Sequence, residues 1–199
     1  MKSLYLVEGN HDCNFLSRTL VNNYSIDSSR IIHYSNEGVK TEKRMAESVL
    51  IRQLLNEYSA HDVLIKSEIG KQTLISLLGK VCIPAANNHW ELKLTTVFDH
   101  DGKRPFEEFN KIFTDIKKTH PQLDFELISD TPHGDIGHAV SYNVSKISGK
   151  RRVDLNEIHF FCFYESLEKV IERKFGKGVP IDHGIIRLSE HLNGTNFLP

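Results

Sequence analysis

The sequence predicts an α/β domain with a mostly parallel central sheet flanked by helices. Three observations lead there. Leu4-Tyr5-Leu6-Val7, Leu92 to Phe98 and Ile158 to Tyr164 are dense apolar runs rather than alternating ones, as in strands covered on both faces. Between such runs, apolar residues recur at three- and four-residue spacing, the mark of amphipathic helices. The two kinds of segment alternate along the chain, which is the order that builds parallel sheets.

The elements follow in order. The opening strand stops at Glu8-Gly9-Asn10, and a helix is expected from Asp12 to Asn23 with Phe15, Leu16, Thr19 and Leu20 on its inner stripe. Arg30 to Tyr34 reads as a short strand. Thr41 to Tyr58 reads as a long helix, with Met45, Val49, Leu54, Leu55 and Tyr58 at helical spacing. His61 to Lys66 returns to strand character and Ser67 to Lys71 turns. A helix then runs to about Val81, and Pro84 to Trp90 is expected to be a loop. The strand Leu92 to Phe98 ends in Asp99-His100-Asp101-Gly102. Pro105 suits the first turn of a helix whose stripe is Phe106, Phe109, Ile112, Phe113 and Ile116. Phe125 to Ile128 is a further strand. From Ser129 to Asn156 the pattern weakens among Thr131, Pro132, Gly134 and Gly137, and a long loop or loose insertion is expected. Ile158 to Tyr164 is the last strand, Glu165 to Lys174 a helix, and Ile185 to Leu192 a short helix in an otherwise unpatterned tail.

The 199 residues fit a single domain of generous size. A hydrophobic content of 39% and a net charge of -1 are ordinary for a soluble protein and leave no global basic field for coating nucleic acid. The three cysteines, Cys13, Cys82 and Cys162, form neither a disulfide framework nor a CxxC metal site. No apolar run approaches a membrane span, and the first strand starts too early for a signal peptide. The expected compartment is the cytoplasm, with no membrane partner.

Two motifs carry chemistry. Glu8 stands at the end of a buried strand, where α/β sheets gather their ligand sites, and Asp12 follows four residues later. Helix capping accounts for the same two acids, so both readings stand at this point. In the second motif, Asp99 and Asp101 share one side of an extended segment. Adjacent carboxylates repel unless a cation neutralises them, and hard oxygen ligands suit Mg²⁺. A calcium loop is excluded, because Lys103 and Asn110 occupy two of its ligand places. A P-loop is excluded around Gly70-Lys71-Gln72-Thr73, because Ile65 replaces its first glycine and Gln72 its hydroxyl residue. His133, Asp135 and His138 are a further cluster, at a spacing that matches no standard metal motif.

The conjunction of Glu8-Gly9 after one apolar strand with Asp99-His100-Asp101-Gly102 after another resembles the TOPRIM domain. The form Val7-Glu8-Gly9-Asn10-His11-Asp12 looks most like its OLD (overcoming lysogenization defect) nuclease branch. The likeness covers mainly residues 3 to 23 and 62 to 128. Lys66 to Lys71 resembles the glycine-containing turn after an inner strand, and Phe163 to Glu168 resembles an acidic element after a last strand.

That resemblance implies a TOPRIM-like Rossmannoid with an inserted strand-helix segment. The core would be roughly 1–23 and 61–175, the insertion 24–60, the loose segment 129–156 and a C-terminal extension 176–199. It also implies a Mg²⁺ site, with Mn²⁺ as an alternative, that cleaves phosphodiesters of DNA or RNA. Asp99 and Asp101 would hold the principal ion, and Glu8 would share it or act as general acid/base. Asp12 would help hold a second ion and Glu168 would be a distal ligand. Lys71, Lys103 or the Lys150-Arg151-Arg152 cluster would neutralise phosphates. The chain shows no tyrosine nucleophile, zinc module or ATPase part, which disfavours topoisomerase and primase roles and leaves room for a separate partner such as an ATPase. The competing expectations are a non-catalytic binding or regulatory module and a nucleotidyl-transfer enzyme acting on small nucleotides.

Overall fold

A computed structural model describes residues 2–35, 63–68, 70–87, 92–100, 105–193 and 198. The described strands are β1 (Lys2–Val7), β2 (Ile31–Ser35), β3 (Val63–Ser67), β4 (Leu92–Asp99), β5 (Leu123–His133), β6 (Gly137–Ser148) and β7 (Arg151–Phe163). The described α-helices are α1 (Asn10–Tyr24), α2 (Lys71–Asn87), α3 (Pro105–Thr119), α4 (Leu167–Phe175) and α5 (Ile181–His191). A 3₁₀ turn, Ser28–Arg30, leads into β2.

The strands make one sheet in the order β2-β3-β1-β4-β7-β6-β5. All pairings from β2 to β7 are parallel, and β7-β6 and β6-β5 are antiparallel. The expected α/β architecture with a mostly parallel, helix-flanked sheet is therefore present. Successive strand residues point to opposite faces, and two cores result. Leu4, Leu6, Leu64, Leu94, Phe98 and Phe160 pack against α2 and α3. Tyr5, Val7, Ile65, Val97, Phe161 and Phe163 pack against α1, α4 and α5. The stripes expected for the helices are buried: Phe15, Leu16, Thr19 and Leu20 in α1, and Phe109, Ile112, Phe113 and Ile116 in α3.

Three expectations are corrected. Residues 129–156 are no loose loop. They belong to a meander of long strands in which β5, β6 and β7 continue past the body of the sheet. The sequence shows no alternation there because residues from Glu126 to Pro132 of β5 are exposed on both faces. Pro132 is tolerated because β5 is an edge strand. Gly134 (φ +58°) and Gly149 (φ +61°) supply the left-handed turn positions of the two hairpins. Second, the helix expected to end near Val81 runs through Pro84 to Asn87. A proline there removes one backbone hydrogen bond near the helix end, where the penalty is smallest. Third, the C-terminal helix begins at Ile181, four residues earlier than expected, and packs on α1. Asn22 Nδ2 donates to Ser189 Oγ at 3.3 Å, and Tyr24 Oη donates to the Leu198 carbonyl at 2.8 Å. A Cβ at Gly184 would run into Ile171, so α5 also lies close against α4. The strand expected at Arg30 to Tyr34 is present as β2, paired with β3 at the sheet edge. The helix expected at Thr41 to Tyr58 lies outside the described residues.

His159 gives the sheet a pH dependence. It is buried on β7, with Nδ1 2.8 Å from Ser141 Oγ on β6. Burial, helped by the charge of Lys93, pushes its pKa down to about 4. The folded protein then keeps His159 neutral while the unfolded chain takes up a proton below about pH 6.5. Stability is full above that pH and is lost as pH falls towards 4, by about 3 kcal/mol from this residue. His159→Asn should flatten the fall in urea-unfolding free energy between pH 7 and 4. Parallel curves for the two proteins would remove His159 as its source.

Candidate active site

The C-terminal ends of the parallel strands converge on an acidic cleft of about 410 Å³, lined by Glu8, Gly9, Asn10, His11, Asp12, Glu68, Gly70, Asp99 and Glu168. Each arrives for a local reason. β1 and β4 are hydrogen-bonded neighbours in a register that pairs Val7 with Val97, so Glu8 and Asp99 emerge side by side. The Asp99 backbone N–H donates to Glu8 Oε2 at 3.4 Å. β1 and β3 pair Val7 with Ser67, so the residue after each strand turns outward together. The Glu68 N–H donates to the Val7 carbonyl at 2.9 Å, and the Gly70 N–H to the Glu8 carbonyl at 3.3 Å. Gly70 has φ +83°, a conformation that glycine adopts without strain.

The helix α1 begins two residues earlier than expected, and its N-cap is Gly9. Asp12 occupies the third helical position. Its Oδ2 accepts the Gly9 N–H at 3.0 Å, so the capping role and the cleft position belong to the same carboxylate. Asp12 is buried. Burial pushes its pKa well above the usual carboxylate value, and the negative charges of Asp99, Glu8 and Glu168 push the same way against the Gly9 hydrogen bond. Glu168 sits in the first turn of α4, behind the N-cap Ser166. Its Oε1 lies 2.8 Å from His11 Nδ1. Burial raises the Glu168 carboxyl, but the hydrogen bonds from His11, its own N–H and Ser166 together hold it below its ordinary value.

Four of the six residues expected at the site therefore line one cleft: Glu8, Asp12, Asp99 and Glu168. Lys71 opens α2 immediately after Gly70, with Nζ 5.6 Å from the centroid of the Phe98 ring. Asp101 and Lys103 lie outside the described residues. The Lys150-Arg151-Arg152 cluster is a correction. It marks the start of β7, whereas Phe163 at the end of that strand pairs with Asp99. At roughly 3.3 Å per residue the cluster is about 40 Å from the cleft, and Arg152 is engaged with Glu126, Asp124 and Asp154. His133, Asp135 and His138 do not form a cluster either, because Asp135 pairs with Arg173 and Lys174.

Comparison with protein-family models, with curated proteins and with solved structures returned no match.

Glu68 is the lining residue that sequence reasoning does not single out. It is buried and forms an ion pair with Lys66, which is fully buried on β3 beneath the ring of Tyr34. A lysine inside an apolar strand is itself a signal, since a buried ammonium needs a counter-charge. The pattern Glu68-x-Gly70 after β3 also parallels Glu8-Gly9 after β1.

The donor chemistry of the cleft fits a hard divalent cation. Carboxylate residues from three strand ends and two helix starts line one space, and burial first, then the charges of Asp99, Glu8 and Glu168, raise the pKa of Asp12. Among the described residues, no group of three or more His, Cys, Asp or Glu side chains is drawn together as a ready cage.

Proposed function

We propose that the protein is a Mg²⁺-dependent nuclease of the TOPRIM type that hydrolyses phosphodiester bonds in DNA or RNA, with Mn²⁺ able to replace Mg²⁺. The observation that carries this reading is the juxtaposition of Glu8 and Asp99 at the ends of two adjacent parallel strands, with Asp99 N–H on the Glu8 carboxylate. Glu8 and Asp99 would hold the ion, joined by Asp101 of the DxD motif, while Asp12 and Glu168 would serve a second one. A bound ion there would polarise the phosphate and lower the pKa of a coordinated water. The chain's own groups set the rest. Glu8 would share that ion or take a proton from the attacking water. The His11-Glu168 hydrogen bond fixes the imidazole in one wall of the cleft. Lys71 at the start of α2 adds a positive charge next to Gly70, at a helix N-terminus that itself favours anions.

The test is cleavage of plasmid and single-stranded oligonucleotides with Mg²⁺ or Mn²⁺ by the wild type and by Asp99→Ala. Cleavage by the wild type that disappears in the variant is the expected result. Equal activity in the two proteins, or none with either metal, would overturn the reading.

A further inference from the structure

The cleft is lined by the acids Glu8, Asp12, Glu68, Asp99 and Glu168, yet the substrate proposed for it is a polyanion. A divalent ion offsets the charge of the phosphate oxygens it touches, and the other oxygens need hydrogen-bond donors. Among the described lining residues, two side chains carry N–H groups, His11 and Asn10. The His11 imidazole is held by Glu168, with Nδ1 2.8 Å from Oε1. The second donor is the Asn10 amide. Asn10 is the first residue of α1, directly after the N-cap Gly9, and it is exposed in the cleft wall. Its side chain reaches across to β3, where Ser67 Oγ donates to Asn10 Oδ1 at 3.3 Å. Ser67 is buried at the end of β3, in register with Val7, so its hydroxyl is a fixed anchor. It ties the amide oxygen to the strand end and leaves Nδ2, with two N–H donors, on the other branch of the amide. An aspartate here would have the same outline and the same acceptor for Ser67, but would add one more negative charge to the wall.

We propose that Asn10 is a substrate-binding residue of the cleft, its Nδ2 group donating to a non-bridging phosphate oxygen of the nucleic-acid backbone, with Ser67 as the positioning residue that orients the amide. This deepens the nuclease reading above and rests on it. The contact is made to a phosphate oxygen that is charged both before and during hydrolysis. It therefore contributes to holding the substrate more than to the chemical step, and its loss appears in KM rather than in kcat.

The test is steady-state cleavage, with Mg²⁺, of an oligonucleotide that the wild type cuts. Asn10→Ala should raise KM about 10- to 30-fold, the worth of one hydrogen bond to a charged group, and leave kcat within about threefold. Asn10→Asp should raise KM further, because it keeps the acceptor for Ser67 and sets a carboxylate against the phosphate. An acid in the first turn of a helix favours the fold, so Asn10→Asp should melt no lower than wild type, and its loss is then not one of folding. Ser67→Ala should raise KM by about threefold, through a loosened amide. Mn²⁺ affinity, read by electron paramagnetic resonance, should be the same in wild type and Asn10→Ala. A wild-type KM in Asn10→Ala, an Asn10→Asp that binds substrate as well as wild type, or a fall in kcat or in Mn²⁺ affinity without a rise in KM would each overturn the proposal while the nuclease reading stands. A wild-type KM in Ser67→Ala would remove Ser67 as the positioning residue. A wild type that cleaves no nucleic acid overturns both readings.

Discussion

Glu8→Gln should lower nucleic-acid cleavage by about 10³-fold, the scale of removing one charge-stabilising group from a catalytic centre, and at the same time raise the melting temperature of the metal-free protein. The two effects share one cause. Asp12 is buried, and the charges of Asp99, Glu8 and Glu168 add to that burial in raising its pKa. For a carboxyl whose folded pKa lies above its unfolded one, stability is full below the unfolded pKa, near 4, and is lost as pH rises through the folded value. Burial and the neighbouring charges of the metal-free cleft therefore make an ionised Asp12 costly to the fold. Glutamine keeps the size of Glu8 and an oxygen for the Asp99 N–H, while removing one of the charges that face Asp12. Each kcal/mol of relief is worth about 2–4 °C in a chain of this size. Calorimetry of chelator-treated protein at pH 7, and again near pH 5 where Asp12 is closer to neutral, checks the sign. The gain should shrink at the lower pH. A variant that melts lower than wild type, or that cleaves as fast, would show that the Glu8 charge is not what the cleft is built around.

The parts of this molecule that are legible in the sequence are those where one physical demand acts alone. β1, β4 and the second half of β7 are covered on both faces, so their composition is largely apolar, and Glu8 and Asp99 stand out as the first charges after such runs. β5 and the neighbouring halves of β6 and β7 meet the opposite condition. Leu127, Ile128, Ile147 and Val153 are exposed there, so neither face imposes an apolar period and the glycines and Pro132 dominate the reading. What holds these strands is backbone pairing, continuous from Leu123 to His133 against β6 apart from one bulge between Leu127 and Ser129. Helix ends are blurred for a related reason. Gly9 caps α1 without a side chain, so no Ser, Thr or Asp announces the true start. Glu68 escapes notice because its cause, the buried Lys66, sits on a different strand from the acids that define the motif. The distance from Lys150 to the cleft follows from strand direction, which no local pattern reports.

The second large effect lies in the core that joins the parallel and antiparallel parts of the sheet. Phe160→Ala should cost about 4 kcal/mol, which corresponds to a melting temperature lower by roughly 8–16 °C. Phe160 is buried on β7, opposite Thr96 of β4 on one side and Val140 of β6 on the other. Its ring meets Phe109 at 5.0 Å, Phe113 at 5.7 Å, Tyr142 at 6.0 Å and Phe98 at 6.4 Å. These partners come from α3, β6 and β4, so truncation opens a cavity where three elements meet, and rigid ring neighbours collapse poorly into such a space. The edge-to-face attraction between the rings disappears as well and adds to the transfer cost. Ile128→Ser is the matched control. It is apolar too but exposed on the edge strand, and its replacement should stay within about 0.5 kcal/mol. Urea unfolding of the two variants decides the matter. A Phe160→Ala cost near that of Ile128→Ser would mean that the meander is held to β4 by backbone pairing alone. A cost of the expected size would show that the same ring cluster that seats α3 also fixes β7, and with it the Phe163-Asp99 register on which the cleft depends.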